Sequence, residues 1–306
     1  MSSDGVASPR RDPAVDAHLP EARAVINRVA RSFSLAARLL PSRTRDDINL
    51  LYLALRGLDD LIDIEVRAGG ISSESAEARI AAIEAWCRSG DQGAAGGGRE
   101  LQIFADLSRR YATFPRDAVA DFLAGMRSDL GVVRLATDAD LDRYCYQVAG
   151  TVGRMMCAIL GVREGAEVAA DAAARALGAA MQRTNILRDI DEDLANDRIY
   201  LPMEALSRHG LRTDARAGAR SLLDDDRRAL IREQITAADA DYARGRAGLR
   251  YLRRGGRSIA VAADLYQEIL RQIERDGLGA WRPHRPIVGR WRKARLIVGA
   301  LLSRAR

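Results

Sequence analysis

Two segments, LYLALRGLDDLID (51–63) and QRTNILRDIDED (182–193), each carry an arginine followed by aspartates four residues apart. In the first these are Arg56, Asp59 and Asp63; in the second, Arg188, Asp189 and Asp193. On an α-helix, residues i and i+4 share a face, so the carboxylates of each pair point the same way. Tyr52, Arg56, Asp59 and Asp63 advance by four, three and four, one helical face where apolar residues are expected. Like charges at this spacing weaken a helix. Nearby arginines or a bound cation commonly offset that cost. Carboxylate oxygens are hard ligands. Mg²⁺ accepts one or two of them and completes its shell with water and phosphate oxygens. Two facing acidic helices could therefore hold a few Mg²⁺ ions around a diphosphate. Arg56, Arg188 and Asn185 would donate to the same group, and the metal would make it a better leaving group. One such aspartate pair is most often a solvated helix face. Two pairs, each with its own arginine and each set in apolar sequence, favour a site. Helix geometry turns Asp191 about 200° from Asp189, which predicts a solvated side chain. Glu192 lies only about 60° away and is a possible helper.

Helices are the elements that must position these groups. Val25, Ile26, Val29, Phe33, Ala36, Ala37 and Leu40 recur at three- and four-residue steps, which predicts a helix from Glu21 to Pro41. Further helices are predicted over 46–64, 74–88, 100–112, 116–132, 138–161, 165–195, 216–252, 257–276 and 288–304. Residues 1–18, rich in Ser, Pro and charge, read as a disordered arm. SGDQGAAGGG (89–98) reads as a flexible loop. There is no alternating strand of useful length. The economical fold is all-α, one helical domain over 19–306.

Composition agrees. The chain has 306 residues, 47 % of them hydrophobic but only 5 % aromatic, so the core must be built of Ala, Leu, Ile and Val. The net charge of +6, from 48 basic and 42 acidic residues, is mild and suits a mixed-charge surface. No zinc-finger spacing, RNA-binding signature or basic repeat points to nucleic acid. Cys87, Cys145 and Cys157 show no CxxC spacing, and no secretory h-region precedes them. A cytoplasmic, reducing setting is expected. No apolar run reaches membrane-spanning length. The tail WRKARLIVGALLSRAR is amphipathic and basic, which suits a packed terminal helix or peripheral contact with a membrane.

SFSLAARLLP (32–41), LYLALRGLDDLID (51–63), YCYQVAGTVG (144–153), QRTNILRDIDEDLANDRIYLP (182–202) and AADLYQEILRQIERDG (262–277), with the tail RWRKARLIVGAL (290–301), resemble the squalene and phytoene synthase family. The resemblance runs from about residue 21 to 302. It implies an all-helical isoprenoid-synthase fold with a central active-site cavity, and two prenyl diphosphates, farnesyl or geranylgeranyl, joined head to head (1′-1) through a cyclopropylcarbinyl diphosphate. It implies Mg²⁺, or Mn²⁺ in its place. Squalene synthases of the family also use NADPH, and no Rossmann fingerprint is present here to test that.

Position by position, the resemblance makes Asp59, Asp63, Asp189 and Asp193 metal ligands. It places Tyr52, Arg56, Gln182, Asn185 and Arg188 around the diphosphates. Arg31 and Ser32 fall in a flap that Phe33 would close over the substrate, and Tyr144 and Tyr266 lie near the reacting carbons. A tyrosine face can stabilise a carbocation, and its hydroxyl can handle a proton. A tyrosine in a helix is otherwise most often a core residue. Ala149, Gly150 and Gly153 would allow close helix packing. The family often has Ser where this chain has Ala30, an acid where it has Ile64, and an aromatic where it has Ala37. The first acidic motif is closer to squalene synthases, the second to phytoene and presqualene-diphosphate synthases. Product identity stays open, with a terpene cyclase of the same fold and a non-catalytic relative acting in lipid binding or assembly as alternatives.

Overall fold

A computed structural model describes residues 9–29, 31–67, 73–90, 97–129, 132–212, 226–279 and 285–289, with Arg292 and Arg295. The fold is all-α. Its helices are α1 (Pro13–Asp16), α2 (Leu19–Val29), α3 (Arg31–Ala37), α4 (Ser42–Arg67), α5 (Ser73–Ser89), α6 (Gly98–Arg110) and α7 (Arg116–Ser128). Then come α8 (Asp138–Cys145), a π-helical turn (Tyr146–Gly150), α9 (Thr151–Leu160), α10 (Glu167–Ala195), α11 (Met203–Arg208), α12 (Arg228–Ala247) and α13 (Gly256–Arg275). Among the described residues the only extended pairing is two isolated bridges, Arg134 with Ile199 and Val162 with Leu252.

The two longest helices carry the acidic motifs. α10, at 29 residues, is about 44 Å long. It packs against α12, α9, the π turn, α13 and α8, so apolar neighbours cover most of its circumference. α4 packs against α2, α5, α6 and α9. One apolar cluster runs from Val15 to Leu278 and holds the whole arrangement together. The cluster is built mainly of Leu, Ile, Val and Ala, as the low aromatic content requires. Local signals start α8: the Thr137 side chain accepts from the Asp140 amide and Asp140 reciprocates, a complete capping box.

Two expectations change. The predicted helix from Glu21 to Pro41 is described as α2 and α3, with Ala30 between them outside the described residues; α2 packs along α4 and α3 on α13. The predicted helix over 138–161 is interrupted by the π turn. The arm over residues 1–18 is docked where it is described. Arg11 reaches the buried Asp47 at 2.8 Å, the Asp12 amide donates to Asp106 at 3.1 Å, and Val15 of α1 is buried. The 89–98 loop and the 288–304 tail helix lie largely outside the described residues. Among the described residues no helix is long and apolar enough to cross a membrane.

Candidate active site

A cavity of about 550 Å³ lies within the bundle, walled by α4, α9, α10, α12 and α13. Its α10 wall is a single stripe: Ala170, Ala173, Ala174, Leu177, Gly178, Met181, Gln182, Asn185 and Arg188. Spacings of one, three and four keep these residues on one face. Small apolar side chains line one end and polar ones the other. At the polar end, Tyr52 and Arg56 of α4 meet Gln182, Asn185 and Arg188 of α10 and Tyr266 of α13. Six residues singled out from the sequence thus converge from three helices. Burial pushes the phenol pKa of both Tyr52 and Tyr266 up, so both remain neutral hydrogen-bond donors at neutral pH.

The paired aspartates stand beyond this polar end. Arg56 pairs with Asp59 at 2.8 Å and donates to Asp60 at 2.7 Å. Arg188 Nε donates to Asp189 Oδ1 at 2.9 Å. Burial works against the Arg188 charge, but the bond to Asp189 outweighs it and holds the pKa above its usual value. Asp193 is pushed up to about 7, first by burial and then by the charge of Asp189, with Arg198 opposing. Asn185 adds an orphan: its Nδ2 donates to Gln182, and its buried Oδ1 has no partner among the described residues. Asn185, Asp189 and Asp193 step by four along one face.

These groups fit a divalent cation. They are hard oxygen donors, and one of them, the buried Asn185 Oδ1, is an unsatisfied acceptor. Among the described residues no three acidic, histidine or cysteine side chains form a ready-made metal cage. The Asp63 side chain lies outside the described residues. So do the side chains of Arg31, Ser32 and Phe33, whose backbone forms the first turn of α3. α3 itself is seated on α13, the helix that carries Tyr266: Ser258 Oγ donates to the Ala36 carbonyl at 2.7 Å, and Ala36 packs with Val261, Ala262 and Leu265.

Tyr144 lies outside the cavity lining. It is buried, and its hydroxyl donates to Asp129 Oδ2 at 3.0 Å. Tyr200 donates to the other oxygen of Asp129 at 3.0 Å, and the two tyrosine rings lie 5.0 Å apart. Burial raises the Asp129 pKa, and the charge of Asp59 raises it further. Asp129 in turn raises that of Asp193. Asp129 therefore sits between the two acidic helices. Sequence reading missed Asp129 and Tyr200, because Asp129 ends α7 with no patterned neighbour. RIYLP, which contains Tyr200, served only as part of a motif. Arg285 was also missed; it reaches Glu192 at 2.5 Å and Asp189 at 3.4 Å.

Asp191 corrects an expectation. It is buried and pairs with the buried Arg227 at 2.5 Å. The angle from Asp189 was right, but α10 is covered on that side by the start of α12, so the far face meets protein.

Comparison with known proteins agrees with this geometry. A profile of the squalene/phytoene synthase family matches residues 26–292. The chain is 38 % identical over 289 residues to a phytoene synthase of Thermus thermophilus, covering 91 % of each chain. It is 36 % identical to a phytoene synthase of Pseudescherichia vulneris, covering 82 % of this chain and 81 % of the relative. Among solved structures, a dehydrosqualene synthase bound to a ligand superimposes with a TM-score of 0.75 at 25 % identity, covering 94 % of this chain and 96 % of the other. A squalene synthase from Alicyclobacillus acidocaldarius gives 0.67 at 26 % identity, covering 87 % and 97 %. An apolar cavity with a polar head and two flanking acidic helices, in a chain matched along nearly its whole length, belongs to an enzyme of the squalene/phytoene synthase family.

Proposed function

We propose that this enzyme condenses two prenyl diphosphates head to head in a Mg²⁺-dependent reaction, with Mn²⁺ as a substitute. The observation that carries the reading is the convergence of Tyr52, Arg56, Gln182, Asn185, Arg188 and Tyr266 at the polar end of an otherwise apolar cavity. Arg56 and Arg188 bind the diphosphate oxygens and orient the allylic carbon toward the apolar wall. Asp59, Asp63, Asp189, Asp193 and the free Oδ1 of Asn185 are the groups that would hold Mg²⁺. When bound, the metal stabilises the negative charge that accumulates on the departing diphosphate. The C1–O bond breaks with its electron pair leaving on the diphosphate. The second chain's double bond then attacks C1, and loss of a proton closes the cyclopropane ring. The Tyr266 ring faces the cavity, where its π-system can stabilise the allylic cation. The Leu, Met and Ala walls keep water from quenching it.

Relatives that make phytoene favour geranylgeranyl diphosphate as substrate and an ending by proton loss. Incubation with farnesyl or geranylgeranyl diphosphate and Mg²⁺, with and without NADPH, tests this directly. The expected result is a C40 hydrocarbon formed without NADPH; no consumption of either diphosphate refutes the reading. Asp59→Ala or Asp189→Ala should each reduce turnover by more than the ~10–100-fold typical of outer-shell partners of a metal. For the basic tail WRKARLIVGALLSRAR, peripheral membrane contact is the alternative to a packed terminal helix, and a vesicle flotation assay leaving all protein at the bottom refutes that alternative.

A further inference from the structure

The apolar end of the cavity is closed by a specific piece of backbone. α9 ends at Leu160 and α10 begins at Glu167, while the α12–α13 connection returns past Leu252 at the same end of the bundle. The two connections are stitched together. Val162 bridges Leu252, the Arg253 amide donates to the Gly161 carbonyl at 2.8 Å, and the Arg163 amide donates to the Tyr251 carbonyl at 2.8 Å. Leu160, Leu252 and Ala170 line the cavity just inside this seam, and all three are shut off from solvent. Leu160 cannot retreat. It is backed by Gly255, where an added Cβ would lie 2.7 Å from the Leu160 side chain. Gly255 is left-handed (φ 74°), which lets the chain turn into α13 without a side chain in that gap.

Distance then becomes a measure of substrate. Asn185, at the head, and Ala170, at the floor, are fifteen residues apart on one straight helix, about 22 Å. An extended isoprene unit, four carbon–carbon bonds of about 1.5 Å in zigzag, spans roughly 5 Å, close to one helical pitch. The stripe therefore accommodates about four units between head and floor. We propose that Leu160, Leu252 and Ala170, held by the bridged seam, form the stop that limits the prenyl chain to four isoprene units. This rests on the head-to-head reading of the same cavity and adds which residues measure the substrate.

Wild-type enzyme and the variants Ala170→Phe and Leu252→Ala are offered C15, C20 and C25 allylic diphosphates with Mg²⁺, and consumption and product mass are followed. The wild type is expected to use C20 and reject C25. Ala170→Phe should shift the C20-to-C15 preference toward C15 by about tenfold or more, since even single methylenes discriminate at that level. Leu252→Ala should admit C25. Circular dichroism and continued use of C15 show that a variant is folded. Should Ala170→Phe fail that check, Cys157→Phe, on the opposing α9 wall, carries the same expectation. Wild-type ratios in the folded variants, or equal use of C25 and C20 by the wild type, overturn the stop while leaving the reaction intact. Consumption of none of the three by the wild type overturns the reaction itself.

Discussion

The Asp129 carboxylate takes a hydroxyl bond on each of its oxygens, from Tyr144 and from Tyr200. It is a partly buried acid set between the two acidic helices. Those two bonds fix where its oxygens point relative to Asp59 and Asp193. Tyr200→Phe leaves one oxygen of a largely desolvated carboxylate without its donor, which should cost about 1–3 kcal/mol of stability, measured by urea unfolding. Because Tyr200 acts through Asp129, kcat should fall by roughly tenfold, the lower end of what outer-shell partners contribute. KM should change little. A KM effect larger than the kcat effect would place Tyr200 against the substrate instead.

Between α8 and α9 a single π turn decides what the helix presents. An i→i+5 turn holds one residue more than an α turn, so all that follows is rotated back by about 100°. Tyr144 and Val152, eight residues apart, would stand about 80° apart on a uniform helix; with the extra residue they come within about 20°. The stripe Val148, Val152, Met156 and Leu160 that lines the cavity is thereby aligned with Tyr144 at the acidic rim. Tyr146 braces the turn: its hydroxyl donates to Asp121 at 2.6 Å, and the Arg175 guanidinium lies 4.6 Å from its ring centre. Just after the turn, α9 crosses α10 so closely that a Cβ on Gly153 would lie 2.5 Å from the Ala174 carbonyl oxygen. Gly153→Val should therefore destabilise the fold by about 1–3 kcal/mol through overpacking, read as a lowered melting temperature. An unchanged melting temperature would show that the crossing can relax.

Over the whole molecule, a buried charge cluster joins the N-terminal segment to the bundle. Asp47 on α4 accepts from Arg110 Nη1 and Nη2 at 2.8 and 2.7 Å, from the Tyr111 hydroxyl at 2.5 Å and from Arg11 at 2.8 Å. Burial alone would raise the Asp47 pKa, but these bonds outweigh it and hold it below the ordinary 3.8. A depressed carboxylate stabilises the fold fully above its unfolded pKa, and that stability is lost as pH falls through the folded one. Wild-type stability should therefore drop below about pH 4, and Asp47→Asn should flatten that drop. At neutral pH the same variant leaves Arg110 paired with Asp106 alone, through its Nε at 2.7 Å, and should cost about 1–3 kcal/mol. Equilibrium unfolding across pH checks both; identical pH profiles would show that Asp47 is not the responsible acid.

How much of this was legible beforehand depends on range. Helical period, capping residues and the i, i+4 aspartates are local, and they sufficed for an all-α fold, most helix positions and the residues that meet at Gln182, Asn185 and Arg188. The π turn, the docking of Arg11 and the burial of Asp191 depend on what lies against each helix, which no local pattern encodes. Asp129 carries no motif of its own; only packing brings it between Tyr144 and Tyr200. By itself the sequence determined the chemistry: carboxylates, arginines and an apolar stripe on helices of known period. Only the tertiary structure decided which faces meet and where the cavity ends, because both follow from side chains brought together across the bundle from distant parts of the chain.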